Sequence, residues 1–228
     1  MNFLKAGSNY QKHSIIQAFM AHKLCLKLKN LRRKHFSRVF EFGCARGEFS
    51  ISLQKTISYD EFIRNDILPY KNDFKFEIFD MNDIALHPLS KQKFDLITSN
   101  ATLQWLDLER ILPILVKMLD EKGVLLLSSF GGQNLKEIKT STGFSLKYFD
   151  FLKLKQIFSS YFSNIDLEQE QITLQFDTAL DVFKHLKLSG VNSLGYYPLS
   201  KQFLKKYEEN FQNKLTYHPI FILCKNEV

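Results

Sequence analysis

Glycine is scarce in this chain, nine among 228 residues, and so is anything that would divide it. No Pro/Gly/Ser-rich linker, internal repeat or low-complexity tract appears, so one domain is expected over residues 1–228. Cysteine is limited to Cys25, Cys44 and Cys224, far apart and odd in number. That excludes a disulfide framework and a zinc pattern, and it fits a reducing cytoplasm. There is no run of about 18 apolar residues and no apolar signal-peptide core, which predicts a soluble protein without membrane contact. A recognisable Ser/His/Asp set and a catalytic carboxylate pair are missing too, so chemistry needing a built nucleophile or a two-carboxylate site is disfavoured.

What the chain does have is phenylalanine, 22 residues within a 45 % apolar composition, enough for a sizeable core filled with large rings. The formal net charge of +7 and pI near 9.2 point to an acidic partner, either nucleic acid, anionic lipid or protein. No RRM, KH or zinc pattern supports nucleic acid.

The first amphipathic helix is expected over Ser14–Lys29, with Ser14 as its cap, and Lys27 to His35 as a solvated basic face after it. The strongest local pattern follows. Val39, Phe40 and Phe42 read as a buried strand that ends in Gly43-Cys44-Ala45-Arg46-Gly47, and Glu48 to Gln54 then take helical spacing. A strand, a glycine turn and a helix start form a cradle that backbone can bring close to a ligand. The dinucleotide fingerprint would need glycine at Ala45 and Glu48, so phosphate is disfavoured.

Further strands are expected at Asp60–Ile63, Lys75–Phe79, Phe94–Asn100 and Val124–Ser129, with a helix from Asp107 to Leu119. The short connection before Phe74 leaves room only for a turn around Pro69. Gly43, Asp66, Asp80 and Asn100 all fall at carboxyl ends of strands, where open parallel sheets bind ligands. The second half reads as strand-poor until Ile172–Phe176, with helices near Phe149–Phe158, Thr178–Leu188 and Ser200–Phe211 that would build a lid, and Pro219–Cys224 as a final strand closing the sheet edge. The alternation predicts a doubly wound, mostly parallel α/β sheet with core 36–130, lid 177–212 and closing strand 219–224.

The Glu-x-Gly-Cys-x-x-Gly strand end, followed by an acidic residue at the end of the next strand, resembles motif I of the class I S-adenosylmethionine-dependent methyltransferases. The resemblance narrows at four blocks. Phe3 to His13 with Gln17 is similar to the F-x-R-A-A-x-x-Y-D-x-x-A-x-x-Q opening of the malonyl-acyl-carrier-protein O-methyltransferases of biotin synthesis. Ser99 to Trp105 resembles that family's S-N-x-x-x-Q-W block. Asp177-Thr178-Ala179-Leu180 with Leu186 to Asn192 resembles its inserted helix and L-K-x-T-G-x-N turn, and Leu215-Thr216-Tyr217-His218 its L-T-Y-H. Lys5, Gln11 and Ala45 depart from the pattern, and lysine lacks the fork by which arginine anchors an anion.

The resemblance implies a seven-stranded Rossmann-like sheet and S-adenosyl-L-methionine as cofactor, with S-adenosyl-L-homocysteine as product and no metal. It implies cofactor contacts from Glu41, Gly43, Cys44, Gly47, Asp66, Asp80, Met81 and Asn100, with Asp66 on the ribose hydroxyls and Asp80 near the adenine. On the acceptor side it implies Tyr10 and Lys187 as catalytic candidates and Gln104, Trp105, Tyr217 and His218 as substrate contacts. The implied partner is an acidic acyl carrier protein bearing a malonyl group. Two other readings stay open: a small-molecule carboxyl or C-methyltransferase of the same core, and a non-catalytic basic adaptor with this fold that binds protein or RNA, for which Tyr196 and Tyr197 near Lys201 are compatible.

Overall fold

The computed structural model describes residues 14–70, 74–189 and 198–226. The first helix, α1, covers Ile15–Asn30 and buries Ile16, Met20, Leu24 and Leu28, a spacing of four that keeps one stripe against the sheet. Ser14 does occupy its N-cap position, but its side chain makes no capping bond, so the expected hydroxyl cap is corrected to a backbone contact from Ala18 N to Ser14 O at 2.8 Å.

Seven strands form the main sheet, in the order β3-β2-β1-β4-β5-β9-β6. They are β1 (His35–Phe42), β2 (Ser58–Asp66), β3 (Glu77–Ile78), β4 (Phe94–Ser99), β5 (Leu119–Phe130), β6 (Asn164–Gln169) and β9 (Pro219–Lys225). The first five run parallel, while β9 is antiparallel to both β5 and β6. Central strand β4 is buried along its whole length, its polar Asp95, Thr98 and Ser99 included. Helices α2 (Glu48–Gln54), α3 (Leu108–Met118), α4 (Lys136–Thr142) and α5 (Phe151–Ser159) cover the faces with α1. One core contains Leu24, Phe36, Val39 and Phe221, and the other Phe40, Phe42, Phe94 and Phe158.

Two expectations are corrected by the sheet order. The edge is β6, not β9, which lies between two neighbours and is buried at six of its seven positions. The second half is therefore not strand-poor before Ile172. And β7 (Ile172–Gln175) does not join the main sheet but pairs with β8 (Lys214–Tyr217) in a sheet of its own.

These two small strands are nonetheless continuous with the edge. Gln169 pairs with Ile220 and Ile172 with Tyr217 in one unbroken register, and Glu170 N bonds to Pro219 O at 2.9 Å between them. The two pairs thus form a single antiparallel ribbon that leaves the sheet near His218-Pro219, where proline supplies no amide to the ladder. Helices α6 (Ala179–Leu188) and α7 (Lys201–Phe211) are an excursion at its tip, held by Phe183 against Phe203 and Tyr207. Glu137 of α4 secures β8, accepting from Thr216 N at 2.9 Å and from Thr216 Oγ1 at 2.5 Å.

Candidate active site

The carboxyl ends of β1, β2, β3 and β4 open on one side of the sheet, and they bring together most of the residues singled out by sequence. After β1 the chain turns through positive φ at Gly43, Ala45 and Gly47, with values of 68°, 46° and 88°. A left-handed alanine costs about 1–2 kcal/mol, so Ala45 needs outside support. It has it: Ala45 N donates to Asp66 Oδ2 at 2.8 Å, and Cys44 N donates to Asn65 O at 3.0 Å. A Cβ on Gly43 would overlap the Thr102 side chain, and one on Gly47 would overlap the Phe74 ring. The bare faces of both glycines are thus required by the protein itself, independently of any ligand.

Asp66 is buried at the end of β2. Its second oxygen accepts from Leu68 N at 3.0 Å, so each carboxylate oxygen carries one backbone donor and retains capacity for another. Asp80 caps the turn that follows β3, with Oδ1 accepting from Asn82 N and Nδ2 at 2.9 and 3.1 Å, beside buried Met81. Glu41 lies fully buried beneath the glycine turn, bonded by Ser50 Oγ of α2 at 2.5 Å. Burial pushes its carboxyl up to about 7, with Ser50 and Arg64 acting in the opposite direction. Burial likewise pushes the Cys44 thiol up to about 12, so it is an inert thiol that packs under the turn.

Asn100 is committed differently from a free strand-end ligand. Its Nδ2 donates to Gln17 O of α1 at 3.0 Å and its Oδ1 accepts from Ser128 Oγ at 2.7 Å, so it fastens the first helix to β5. Gln104 folds back, Nε2 donating to Ala101 O at 2.6 Å, while the neighbouring Trp105 is 47 % exposed.

The acceptor-side candidates separate. Tyr217 is buried and its hydroxyl lies 2.8 Å from Nε2 of buried His185, so it joins β8 to α6. His218 Nδ1 accepts from Gln133 N at 3.2 Å and Nε2 lies 3.0 Å from Gln169 Oε1, an arrangement that assigns a neutral ring with the proton on Nε2. Burial lowers its pKa, in the same direction. Lys187 is exposed in the last turn of α6. Tyr10, Lys5, Gln11 and the Gly190–Asn192 part of the family-like turn, with Tyr196 and Tyr197, lie outside the described residues.

Sequence reasoning missed Thr102, Ser50, His185 and Arg64. The last carried a signal, a cation inside a strand otherwise flanked by Phe62 and Ile63, but only the sheet register places it opposite Glu41. Among the described residues no group of three or more His, Cys, Asp or Glu is placed to hold a metal ion, and no helix is long and apolar enough to cross a membrane.

A doubly wound sheet with a glycine turn after β1 and acids at the ends of β2 and β3 defines a Rossmann-like methyltransferase, and residues 16–170 match the methyltransferase domain family. The fold agrees with a solved S-adenosylmethionine-dependent methyltransferase from Archaeoglobus fulgidus, TM-score 0.56 at 16 % identity over 93 % of this chain and 94 % of that one. More particularly, the chain belongs to the malonyl-[acyl-carrier protein] O-methyltransferase family. It is 34 % identical to the enzyme of that name from Calditerrivibrio nitroreducens over 99 % of this chain and 96 % of the relative. To the Haemophilus influenzae enzyme it is 30 % identical, over 98 % and 92 %.

Proposed function

We propose that this chain methylates the free carboxylate of a malonyl thioester on acyl carrier protein, an early step of biotin synthesis, with S-adenosylmethionine as donor. The observation that carries the reading is the conjunction of end-to-end kinship with a strand-end crevice whose donors and acceptors suit that cofactor. The fit is specific. Asp66 keeps acceptor capacity on both oxygens for a pair of ribose hydroxyls, and Asp80 uses only Oδ1 for its cap. When bound, the cofactor supplies an electrophilic methyl group on a sulfonium.

The protein's own part is holding and drying. A malonyl carboxylate is ionised at neutral pH, so the acceptor needs no general base. Alignment of its oxygen and exclusion of water then account for the rate enhancement asked of the site. Glu41, Gly43, Cys44, Gly47 and Met81 shape the cofactor side, and Asn100 acts through α1, whose Gln17 carbonyl it holds. On the acceptor side Lys187, with Tyr10, is the cation and hydroxyl expected near the malonyl carboxylate, while Gln104 and Trp105 border the opening. Tyr217 and His218 serve the ribbon that carries α6, through His185 and through Gln133 and Gln169.

The excursion also suits an acidic partner. Exposed Lys187, Lys201 and Lys206 on α6 and α7, beside Lys184 and Lys205 that pair with Asp181 and Glu209, would help steer an acidic carrier. Capping the carboxylate makes chemical sense, because the ester, unlike the ion, can enter an apolar elongation channel. Formation of S-adenosylhomocysteine that depends on malonyl-carrier protein, and not on the unacylated carrier, is the expected result. Equal formation with both would overturn the reading.

A further inference from the structure

Arg64 is a cation buried beneath the strand ends. It is 93 % removed from solvent near the carboxyl end of β2, and its Nε has no hydrogen-bond partner. Nη1 reaches only Phe62 O, at 3.5 Å. The guanidinium instead lies between two rings, 3.8 Å from the Phe62 centroid and 4.4 Å from that of Phe74. Phe74 in turn lies on Gly47, where a Cβ would overlap its ring. In the sheet register Arg64 stands directly opposite Glu41. A contact chain thus runs from a buried cation, through one ring, to the glycine turn, while the same cation faces the carboxylate beneath that turn.

A buried cation beside a site that receives a positively charged cofactor is adverse unless its charge is matched. Two carboxylates face this place: Glu41 from β1, and Asp66, two residues along β2 on the same face. With both ionised the cluster keeps one net negative charge toward a sulfonium and an ammonium group. With Glu41 protonated it is neutral. Whether the crevice attracts the cofactor at neutral pH therefore turns on the state of Glu41.

We propose that Arg64 is a positioning residue of the strand-end site: through its stack on Phe74 it seats that ring against Gly47, and from its place opposite Glu41 in the sheet it favours the carboxylate form beneath the glycine turn. The inference rests on the cofactor reading above. It is supported by the balance of groups around Glu41. Desolvation favours its protonated form, Asp66 acts in the same direction, and Ser50 of α2 with Arg64 opposes them. The Cys25 thiol of α1 and the Cys44 thiol of the turn also face this carboxylate, and burial raises both, so neither adds a competing charge.

The test uses R64M, R64K and E41Q in the full chain, with circular dichroism to establish that each is folded. Carbon-13 NMR of the glutamate carboxyls, with Glu41 assigned through E41Q, follows its titration without cofactor. R64M is expected to move the Glu41 midpoint up by about one unit or more, and R64K, which keeps the charge, to stay near the parent. Calorimetry with S-adenosylhomocysteine and S-adenosylmethionine on both sides of neutral pH gives the second readout. The parent should lose affinity as pH falls through the Glu41 midpoint, R64M should lose it from a higher pH, and E41Q should show no such step. An unchanged Glu41 midpoint in folded R64M overturns the role of Arg64 whatever the affinities. A shifted midpoint in a parent protein that binds neither ligand instead overturns the cofactor reading, and the positioning role with it.

Discussion

The amide of Ala45 donates to Asp66 Oδ2 at 2.8 Å, which ties the left-handed turn after β1 to the carboxylate at the end of β2. Asp66 therefore supports the turn as well as presenting acceptors to the crevice. Asp66→Ala removes both functions, and with charge-assisted bonds contributing roughly 1.5–3 kcal/mol each, cofactor affinity should fall more than about tenfold. Calorimetry with S-adenosylhomocysteine measures it, and an undiminished affinity would move the ribose contact elsewhere.

Gly43→Val should abolish cofactor binding. Valine would meet Thr102 at a backbone φ of 68°, where β-branched residues are outliers. The structure thus supplies a cause that the sequence alone did not, an internal neighbour as well as a close ligand. Retention of the parent's affinity in the folded variant would exclude the turn as the cofactor's seat.

The strands were legible where both faces are buried. Val124 to Leu127 is a continuous apolar run, and β5 contains it. Edge strand β6, Asn-Ile-Asp-Leu-Glu-Gln, carries no such run, because its outer positions face water and only pairing with β9 makes it a strand. Candidate residues could be singled out where they sat at or just past strand ends, as Gly43, Asp66 and Asp80 do. The Arg64–Phe74 stack could not be, since its members are ten residues apart and no periodicity pairs them. The ribbon was also hidden: its halves are separated by the whole α6–α7 excursion.

Stability should depend on pH through Glu41. Its folded value of about 7 lies above the ordinary 4.5, so between those limits the folded protein holds a proton that the unfolded chain has released. The contribution is complete below the unfolded value and is lost as pH rises to about 7. Glu41→Gln should flatten this part of the stability profile, read from urea unfolding at successive pH values. An identical slope in parent and variant would show that Glu41 ionises normally.

Tyr217→Phe deletes the hydroxyl bonded to His185 Nε2 in a buried setting. A loss of roughly 1–3 kcal/mol of stability is expected, with cofactor affinity unchanged, because the hydroxyl is committed to joining β8 to α6. Chemical unfolding together with calorimetry tests both halves. A weakened cofactor with intact stability would place Tyr217 in the crevice instead.

Lys187→Met separates an acceptor role from a surface one. If the exposed lysine pairs with the malonyl carboxylate, catalytic efficiency toward malonyl-carrier protein should drop strongly while cofactor affinity stays as in the parent. Equal efficiency of the two proteins would return Lys187 to the solvated end of α6.

The central claim is carboxyl methylation of a carrier-bound malonyl group, and intact-protein mass spectrometry addresses it most directly. Malonyl-acyl carrier protein incubated with the enzyme and S-adenosylmethionine should gain the mass of one methyl group, localised to the acyl arm and removable by ester hydrolysis. The same incubation with Asp66→Ala should give far less. A malonyl-carrier protein of unchanged mass, under conditions in which the enzyme demonstrably binds the cofactor, would contradict the account.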